Sequence, residues 1–475
     1  MKKDIVAASG ITASKRSLVS RDFAARIPVP LTDASHKVSA MLESLERLTI
    51  GIDIQCDPSL GSLVRPSDSG EPIQRWFRYR EGYTVELCRR LFKDESLVID
   101  PFCGFGSTLV ASRGLGIPSI GLDVSPLATF VSRVKTRTYL PSCEKRLRAY
   151  VDLLGHLSEK GEEARPPALR ILHKLFHPEI LKALLIFRAS IDSITQLEER
   201  EFLLLAWLAI LEEVSNVYRE GNGVKYRNRL RHGNSYSVTP YDEWQSQQYP
   251  PDKFAYVRER LFSQIRLMME EMQLLRNGPE PCVLQSDASA ATTHAPKTKA
   301  SLIMFSPPYC NCFNYIKAYK LELWMAGFIR AYPDIKALTA KGIRSRTESL
   351  RKPVVDPYPL IIEDLIDLME PDELWSPLLP DVVRGYFADM QRILTMLRRA
   401  IRKRGRCIIV VGNSAYAGVL IPSDLLLAHV AERVGFEVEK IVITRHLTTS
   451  SQQKRSLDPV KSYLRESIIH LRNPR

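Results

Sequence analysis

The sequence has few cysteines and no hydrophobic run long enough to cross a membrane. Only 8 of its 475 residues are cysteine, which excludes the dense disulfide framework of a small secreted domain. The longest apolar run, 202–211, has about half the length of a membrane-spanning helix. The first residues include lysines but no apolar stretch of signal-peptide length. We therefore expect a cytoplasmic protein with free thiols and no membrane partner.

Residue patterns that bind metals are also lacking. Cys310 and Cys312 stand close together, but no second pair of cysteines or histidines accompanies them at zinc spacing. A structural zinc site of this kind needs both pairs to complete its four ligands. The sequence therefore predicts no metal site.

Positive charge, in contrast, is in excess. Lysine and arginine total 67 against 54 aspartates and glutamates, which gives a formal net charge of +13. A basic chain suits a polyanionic partner, because each phosphate that it neutralises releases bound counterions. The hydrophobic content of 45% is that of a folded protein, and the length predicts a core domain with an insert or a second domain.

A strand, a glycine turn, a helix and a second strand follow one another between 97 and 123. The apolar run 97–99 ends at Asp100, and the turn that follows reads DPFCGFGST over 100–108. A helix then extends to about Gly116, and the run 119–122 ends at Asp123. This order predicts the opening of a doubly wound α/β sheet.

The remaining periodicity divides the chain further. Apolar residues recur at helical spacing through 138–281, and strand patterns resume in the C-terminal part. Helices are predicted over 382–403 and 423–434, and strands over 283–284, 302–305, 407–411, 438–444 and 467–471. The predicted fold class is α/β: a doubly wound mixed sheet with an antiparallel end and a large helical insert. The predicted units are an N-terminal extension (1–70), a first core half (71–137), the helical insert (138–281) and a second core half (282–475) with an irregular insertion near 331–380.

The glycine turn has the features of a nucleoside site. Gly104 and Gly106 let the backbone approach a ligand closely, and the following helix presents free N–H groups. Asp123, at the end of the second strand, is placed to accept both hydroxyls of a ribose. Leu109 replaces the third glycine of the dinucleotide fingerprint, and Asp100 would repel a phosphate but attract a sulfonium or amino group. The pattern favours S-adenosylmethionine over a dinucleotide, whereas the glycines alone would also fit an ordinary α/β turn.

A third predicted strand ends near Asp287. Its carboxylate or backbone amide is placed to recognise an adenine ring, and a solvent-facing turn residue is the alternative reading.

Ser306-Pro307-Pro308-Tyr309 directly follows a predicted strand. Two consecutive prolines fix the backbone and remove two N–H donors, which leaves a rigid row of carbonyl acceptors. Such a row can draw the hydrogens of an amino group aside, so that the nitrogen lone pair points at a methyl donor. Tyr309 offers a flat face for stacking an extruded base. A proline-rich turn without chemistry is the alternative for this motif alone.

Taken together, 100–108 and 306–309 resemble the amino methyltransferases of bacterial DNA modification systems, which act on cytosine N4 or adenine N6. Further similar segments are Arg75 to Tyr79, 411–414 (VGNS) and 465–467 (RES), so that the resemblance covers about 71–137 and 282–475. It implies a Rossmann-like methyltransferase core with a cofactor half and a catalytic half. It also implies direct attack of the base nitrogen on the methyl group of S-adenosylmethionine, with the cysteines as spectators.

The resemblance also assigns partners and residues. It implies double-stranded DNA as the substrate and a restriction or defence system as a partner. Serine before Pro-Pro-Tyr is commoner among N4-cytosine enzymes, so cytosine N4 is favoured. An adenine N6 enzyme, an RNA amino methyltransferase and a catalytically inactive DNA-binding subunit are the alternatives. The implied catalytic residues are Ser306, Pro307, Pro308 and Tyr309, and the implied cofactor contacts are Asp100, Phe102, Cys103, Gly104, Gly106, Thr108, Asp123 and Asp287.

Three features depart from the family pattern. Many members have aspartate at the positions of Ser301 and Asn314. We expect the first to be a packing or capping difference and the second to affect contacts to the base or backbone. The glycine turn also precedes the catalytic motif, with a large segment between them, which is unusual among N4-cytosine enzymes. The insert 138–281, the stretch 331–380, or both are therefore predicted to read the DNA.

Basic residues cluster in two places. The first cluster is interleaved with tyrosines and glycines, and we interpret it as a flexible loop that contacts DNA phosphates; a solvated loop is the alternative. Its members are Arg219, Lys225, Arg227, Arg229 and Arg231. The second cluster, between Arg398 and Arg406, surrounds a predicted helix end at Gly405, where a structural role is favoured.

Overall fold

The computed structural model describes most of the chain. The described residues are 33–65, 70–78, 81–169, 171–220, 223–232, 235–275, 278–291, 298–350, 356–448 and 457–474. Most of the N-terminal extension 1–70, Tyr79 and the side chain of Arg231 lie outside what is described.

Strands and helices alternate through the described residues. The strands are β1 (Ile54–Cys56), β2 (Val98–Asp100), β3 (Ser119–Asp123), β4 (Val217–Glu220), β5 (Gly223–Tyr226), β6 (Arg229–His232), β7 (Ser235–Val238), β8 (Cys282–Gln285), β9 (Ala300–Phe305), β10 (Ile401–Gly412), β11 (Ser414–Tyr416), β12 (Val419–Ile421), β13 (Glu437–His446) and β14 (Arg465–Arg472). The helices are α1 (Asp33–Thr49), α2 (Gly61–Val64), α3 (Val85–Leu91), α4 (Ser107–Gly114), α5 (Pro126–Thr136), α6 (Pro141–Gly155), α7 (Leu172–Leu175), α8 (Pro178–Asp192), α9 (Leu197–Ile210), α10 (Tyr241–Gln248), α11 (Lys253–Glu271), α12 (Tyr315–Ala318), α13 (Lys320–Met325), α14 (Tyr332–Lys341), α15 (Ile361–Ile366), α16 (Leu379–Ala400) and α17 (Ser423–Arg433). None of these helices is both long and apolar enough to span a bilayer.

An eight-stranded sheet lies at the centre, in the order β1-β13-β14-β10-β9-β2-β3-β8. Strand β14 runs antiparallel to both of its neighbours, and all other pairs are parallel. The chain moves outward from β2 through β3 to β8 and then returns to β9 on the other side of β2. This reversal leaves a crevice beyond the carboxyl ends of β2 and β9, where ligands bind in such sheets. The predicted doubly wound mixed sheet is confirmed, but its antiparallel strand lies inside the sheet and not at its end.

The central strands are apolar on both faces, which is typical of a sheet covered by helices on each side. Val98 and Leu302 belong to one core with the helices of the insert, whereas Ile99 and Ile303 belong to a second core. The second core includes the buried faces of α16 and α17. Continuous apolar runs such as 302–305 therefore form central strands because neither face of the sheet meets water.

The insert 138–281 is not purely helical. Helices α6, α8, α9 and α11 are present, but two β-hairpins, β4–β5 and β6–β7, lie between them. The predicted flexible basic loop is therefore wrong, because its residues lie in paired strands, apart from Arg227 in the turn between β5 and β6. The helical periodicity itself is real: Met268 of α11 and Met272 in the turn after it are buried in the same core as Val98.

Two predictions in the C-terminal half also need correction. The stretch 331–380 is not irregular throughout, since it contains α14 and α15, while 351–355 lie outside the described residues. The long helix α16 ends at Ala400, and the backbone enters β10 at Ile401. The cations of the second cluster from Arg402 onward thus stand on a strand with an irregular register, where Arg404 has a φ of 58°.

Candidate cofactor and catalytic site

An open cleft lies at the carboxyl ends of β2, β3, β8 and β9. Segments after all four strands line it, together with 81–83 and residues between 341 and 346. The predicted site residues in its lining are Asp100, Phe102, Cys103, Gly104, Asp123, Asp287, Ser306, Pro307 and Pro308. Gly106, Thr108 and Tyr309 stand just outside this lining. The fold thus brings the two sequence motifs to one cleft.

Asp100 anchors the turn after β2. It is 2% exposed, and its carboxylate accepts hydrogen bonds from the Phe102 N–H at 3.0 Å and the Thr108 hydroxyl at 2.5 Å. The Tyr83 hydroxyl lies 3.2 Å from the same carboxylate. Burial raises the pKa of Asp100 to about 7. Thr108 is fully buried, so its predicted contact with a ligand is corrected to a role in holding Asp100.

Gly106 allows the sharp turn into α4. Its φ is +88°, a conformation that other residues adopt only with strain, and a Cβ there would lie 3.0 Å from the Ser132 hydroxyl oxygen. Gly106 therefore shapes the turn while Gly104 lines the cleft.

Asp123 presents a carboxylate at the end of β3. It accepts hydrogen bonds from the Gly104 N–H at 3.1 Å and the Ser125 N–H at 2.8 Å. Ser125 in turn caps α5, which begins with Pro126, a residue favoured at the first position of a helix. Burial raises the pKa of Asp123 to about 6. The carboxylate oxygens have further lone pairs for ligand hydroxyls.

Two other predicted cofactor residues, Asp287 and Cys103, also line the cleft and contact their own backbone or the protein core. Asp287 accepts a hydrogen bond from the Ser289 N–H at 2.7 Å and so caps the turn after β8, while still lining the cleft. Cys103 is 5% exposed, and burial raises the pKa of its thiol well above the usual value. Such a thiol is a poor nucleophile, which agrees with a spectator role.

The segment 306–309 follows β9 and is held from behind by β11. The Ser414 hydroxyl donates to the Cys310 carbonyl at 2.5 Å, and the Tyr416 hydroxyl donates to the same oxygen at 2.9 Å. Pro307 is buried and lies in the cleft wall. The segment is therefore fixed at its carboxyl end by two hydrogen bonds to Cys310, and its two prolines restrict the backbone before that point.

Tyr309, the last residue of this segment, is half-buried. Its hydroxyl donates to Glu466 at 2.5 Å, and its ring lies against Gly412, where a Cβ would come within 2.8 Å of the ring. Glu466 also pairs with Arg445 at 2.5 Å. Tyr309 is thus oriented by residues from two segments that resemble the family, 411–414 and 465–467.

Comparisons with known proteins agree over most of the length. No protein-family model matches the chain. It is 25% identical over 440 residues to the Type II methyltransferase M.AvaI of Anabaena variabilis, which covers 86% of this chain and 88% of that protein. It is 26% identical over 435 residues to the Type II methyltransferase M.BsoBI of Geobacillus stearothermophilus, which covers 82% and 83% of the two chains. Over most of its length the chain is therefore similar to Type II methyltransferases.

This similarity agrees with the family resemblance that the two motifs predicted. Among solved structures, the rRNA methyltransferase aviRa from Streptomyces viridochromogenes aligns with 87% of this methyltransferase and 90% of its own chain, at 9% identity. The TM-score is 0.27, too low for that alignment to bear on the fold or the substrate.

A buried polar network behind the segment 306–309 of this methyltransferase was not predicted. Asp424, the second residue of α17, is fully buried and accepts hydrogen bonds from Arg465 at 2.8 Å and Ser467 at 2.9 Å. Its other oxygen accepts from the Asn413 side chain at 2.8 Å. Its sequence signal was a charged residue in the first turn of a helix, directly before three leucines. The network joins β10, α17 and β14 directly behind Tyr309.

The upstream segment from Arg75 is also fixed by buried charges. Glu271 accepts hydrogen bonds from the Trp76 indole at 2.9 Å and pairs with Arg75. Lys135 is fully buried and donates to the Phe77 carbonyl at 3.0 Å, and burial lowers its pKa to about 7. These contacts place the segment against α5 and the end of α11.

The departures from the family pattern have local explanations. The Ser301 hydroxyl accepts a hydrogen bond from the Ser96 N–H at 2.9 Å and donates to the Leu97 carbonyl at 3.1 Å. Asn314 is 6% exposed and caps α12 by accepting from the Lys317 N–H at 2.9 Å. Both side chains serve the backbone, so the expected contact of Asn314 with a base is replaced by a capping role.

Arg219 does not belong with the exposed cations of the hairpins. Its side chain is 11% exposed, it pairs with Glu212 and Glu322, and it lies over the Tyr319 ring at 4.5 Å from the centroid. Its predicted phosphate contact is therefore wrong, because both its charge and its planar face are engaged inside the protein. Its partners come from α13 and from the turn after α9, which sequence spacing alone does not connect.

The other members of the first basic cluster lie on the hairpins. Lys225 is exposed and pairs with Glu220 at 2.8 Å, and Arg229 is exposed over the Tyr226 ring. Arg227 is partly buried and donates to the Glu212 carbonyl at 3.3 Å. The backbone of Arg231 lies in β6.

Proposed function

We propose that this methyltransferase transfers a methyl group from S-adenosylmethionine to the exocyclic amino nitrogen of a flipped base in double-stranded DNA, with cytosine N4 as the favoured target. The observation that carries the proposal is the single cleft shared by the acidic turn residues and by Ser306, Pro307 and Pro308. A cognate restriction or defence system is the partner that we propose for it.

The residues of the cleft fit S-adenosylmethionine. Its lining includes the carboxyl groups of Glu81, Asp100, Asp123 and Asp287, which suit a ligand with a sulfonium and an ammonium group and would repel a phosphate. The raised pKa values of Asp100 and Asp123 mean that burial opposes their ionised forms, and a bound cation would offset that cost. Asp123 would hold the ribose hydroxyls, and Asp287, which lines the same cleft, would recognise the adenine.

In the proposed reaction the protein acts by positioning. S-adenosylmethionine supplies the electrophilic methyl group when it is bound. Pro307 and Pro308 have no N–H, so the backbone around them offers only acceptors to the amino hydrogens of the base. The nitrogen lone pair is then directed at the methyl group, and proximity and orientation supply most of the acceleration. Tyr309 would stack on the extruded base.

The direct test is the chemistry of the product. DNA from a host that expresses the protein is digested to nucleosides and analysed by mass spectrometry, beside DNA from a host with the empty vector. We expect N4-methylcytosine only in the first sample. N6-methyladenine would instead assign the alternative base, and a new methylated nucleoside found only in RNA would contradict the proposal.

Asp123 provides a test of the cofactor site. Asp123→Asn should weaken S-adenosylmethionine binding by about 1–3 kcal/mol, because the ribose hydroxyls lose an acceptor and buried donors are left unpaired. The carboxyl of the free wild-type protein has a pKa of about 6, and the ionised form binds hydroxyls better. Wild-type affinity should therefore rise with pH through about 6 and level off above about 7, where Asp100 is also ionised.

Calorimetric titrations between about pH 5 and pH 8 measure both effects. In Asp123→Asn the affinity for S-adenosylmethionine should rise less with pH. The rise that remains should come from the ionisation of Asp100. Asp252→Asn is the matched control, because the Asp252 carboxylate also accepts a backbone N–H, that of Ala255, but lies outside the cleft lining. Equal affinities and equal pH profiles for the wild type and Asp123→Asn would remove Asp123 from the site.

The hairpins are the proposed source of DNA affinity. Replacing Lys225, Arg229 and Arg231 by glutamine should weaken DNA binding and flatten its salt dependence. The slope of log K against log salt should fall by about one unit for each phosphate contact that is lost. Fluorescence anisotropy across a series of salt concentrations measures this slope.

The second basic cluster offers a control with the same change in charge. Replacing Arg399, Arg402 and Lys403 by glutamine removes three exposed cations at the amino end of β10, at the opposite edge of the sheet from the cleft. The slope should change little in this variant. If the slope of log K against log salt falls equally in both triple variants, the hairpins are not the DNA contact.

A further inference from the structure

Arg346 is a buried cation with few partners at the edge of the cleft. It is 5% exposed and belongs to the cleft lining. Its Nη1 donates to the Phe313 carbonyl at 3.2 Å, whereas its Nε is buried and has no hydrogen-bond partner among the described residues. Glu348, two residues further on, is engaged by Lys317 at 3.3 Å. A guanidinium in this setting has donors left for a ligand.

Its position is on the substrate side of the cleft. The Cys312 N–H donates to the Ser345 carbonyl at 3.1 Å, which ties the segment of Arg346 to the catalytic loop. Tyr315 lies within electrostatic range of Arg346, and its hydroxyl is adjacent to the Tyr309 backbone. Asp123 and Asp287, in contrast, follow β3 and β8 on the other side of β2.

The chemistry of the bases distinguishes what such a group can read. In cytosine, N3 and O2 are adjacent acceptors on the same edge as the N4 amino group. In adenine, the acceptor N1 next to the N6 amino group is followed by a C–H. A guanidinium is a donor only, with a planar fork that matches two neighbouring acceptors. It therefore complements the edge of cytosine better than that of adenine.

We propose that Arg346 determines base specificity by donating hydrogen bonds to N3 and O2 of the flipped cytosine, an inference that rests on the proposed function. Ser306, Pro307 and Pro308 then accept the hydrogens of N4 from the neighbouring position on the same edge. Burial keeps water from competing for the fork, and the bound base supplies an acceptor to the Nε, which has none among the described residues. In agreement, burial lowers the pKa of Arg346. The protein groups around this guanidinium therefore do not fully offset the cost of removing its charge from water.

The test pairs a variant with a base analogue. Rates are measured on duplexes that carry cytosine or 3-deazacytosine at the methylated position, the analogue having a C–H in place of N3. Wild-type kcat/KM should fall about 10- to 100-fold on the analogue, and Arg346→Gln should lose a similar factor on cytosine. The analogue should then cost Arg346→Gln much less than it costs the wild type. This double comparison cancels the intrinsic effect of the analogue on N4 reactivity.

Further variants separate the other roles that a cation could have here. Arg346→Lys should not restore the rate, because an ammonium cannot match two acceptors in one plane. Arg330→Gln, an exposed arginine before α14, should behave as the wild type. S-adenosylmethionine affinity in calorimetry should be unchanged in Arg346→Gln.

Four results would overturn the inference: equal losses on the analogue for the wild type and Arg346→Gln, full rescue by lysine, a large loss of cofactor affinity, or an undiminished wild-type rate on 3-deazacytosine. The last result does not depend on any variant folding. A wild-type protein that methylates no DNA would refute the proposed function itself, and the inference with it.

Discussion

Replacing Tyr309 by alanine should lower turnover at least about 10- to 100-fold, while S-adenosylmethionine binding stays close to that of the wild type. Base–aromatic stacking contributes about 1–3 kcal/mol for each base. Tyr309 stands outside the cleft lining formed by the cofactor residues, so its loss should not disturb the ribose or sulfonium contacts. We expect the base to stack on the side of the ring that faces away from Gly412.

Tyr309→Phe is the control for this experiment. It keeps the ring and removes only the hydroxyl that donates to Glu466, which still pairs with Arg445. We therefore expect Tyr309→Phe to retain most of the wild-type rate. Single-turnover assays with saturating cofactor measure the methyl-transfer step directly. If alanine at this position supports the wild-type rate, Tyr309 does not hold the base and the proposed site fails.

A low rate in both variants would have a different meaning. The Tyr309 hydroxyl and the ring would then act together, with Glu466 orienting the ring, and the hydrogen bond would be part of the site. Calorimetry with S-adenosylmethionine on the same preparations separates either outcome from a general loss of the fold.

The two motifs were predictable because their chemistry is local. Asp100, Gly104 and Ser306 each follow a short apolar run, and the ends of parallel strands present such residues at one edge of the sheet. The pairing of β2 with β9 was not readable in the same way. About two hundred residues separate these strands, and only the reversal in strand order brings Asp100 next to Ser306.

The incorrect predictions share one cause, which is tertiary contact that overrides local pattern. The basic residues around Arg219 predict an exposed side chain, yet Glu322 in α13 forms an ion pair with it inside the protein. The charged residues after Ala400 continue a helical pattern, but Ile401 and Arg406 pair with β9 and impose a strand. Thr108 looked like a ligand contact until its hydroxyl proved to be bonded to Asp100.

Asp424 should have the largest effect on stability. Its side chain is fully buried and accepts hydrogen bonds from Asn413, Arg465 and Ser467. Arg465 is itself 5% exposed, and one of its nitrogens already has no partner among the described residues. Asp424→Ala would leave this cation buried and uncompensated, so we expect the free energy of unfolding to fall by about 3–5 kcal/mol.

Denaturant unfolding followed by circular dichroism measures this loss. Asp458→Ala is the control, because Asp458 forms an exposed ion pair with Lys461 and its removal should have little effect. Removing both buried charges, in Asp424→Ala with Arg465→Leu, should cost less than the sum of the two single losses, since no unpaired charge then remains. Additive losses would show that Asp424 and Arg465 do not stabilise each other. Glu466, next to Arg465, accepts a hydrogen bond from Tyr309, and Ser414, next to Asn413, donates one to Cys310. A double variant that refolds but turns over slowly would therefore show that the network positions the segment 306–309.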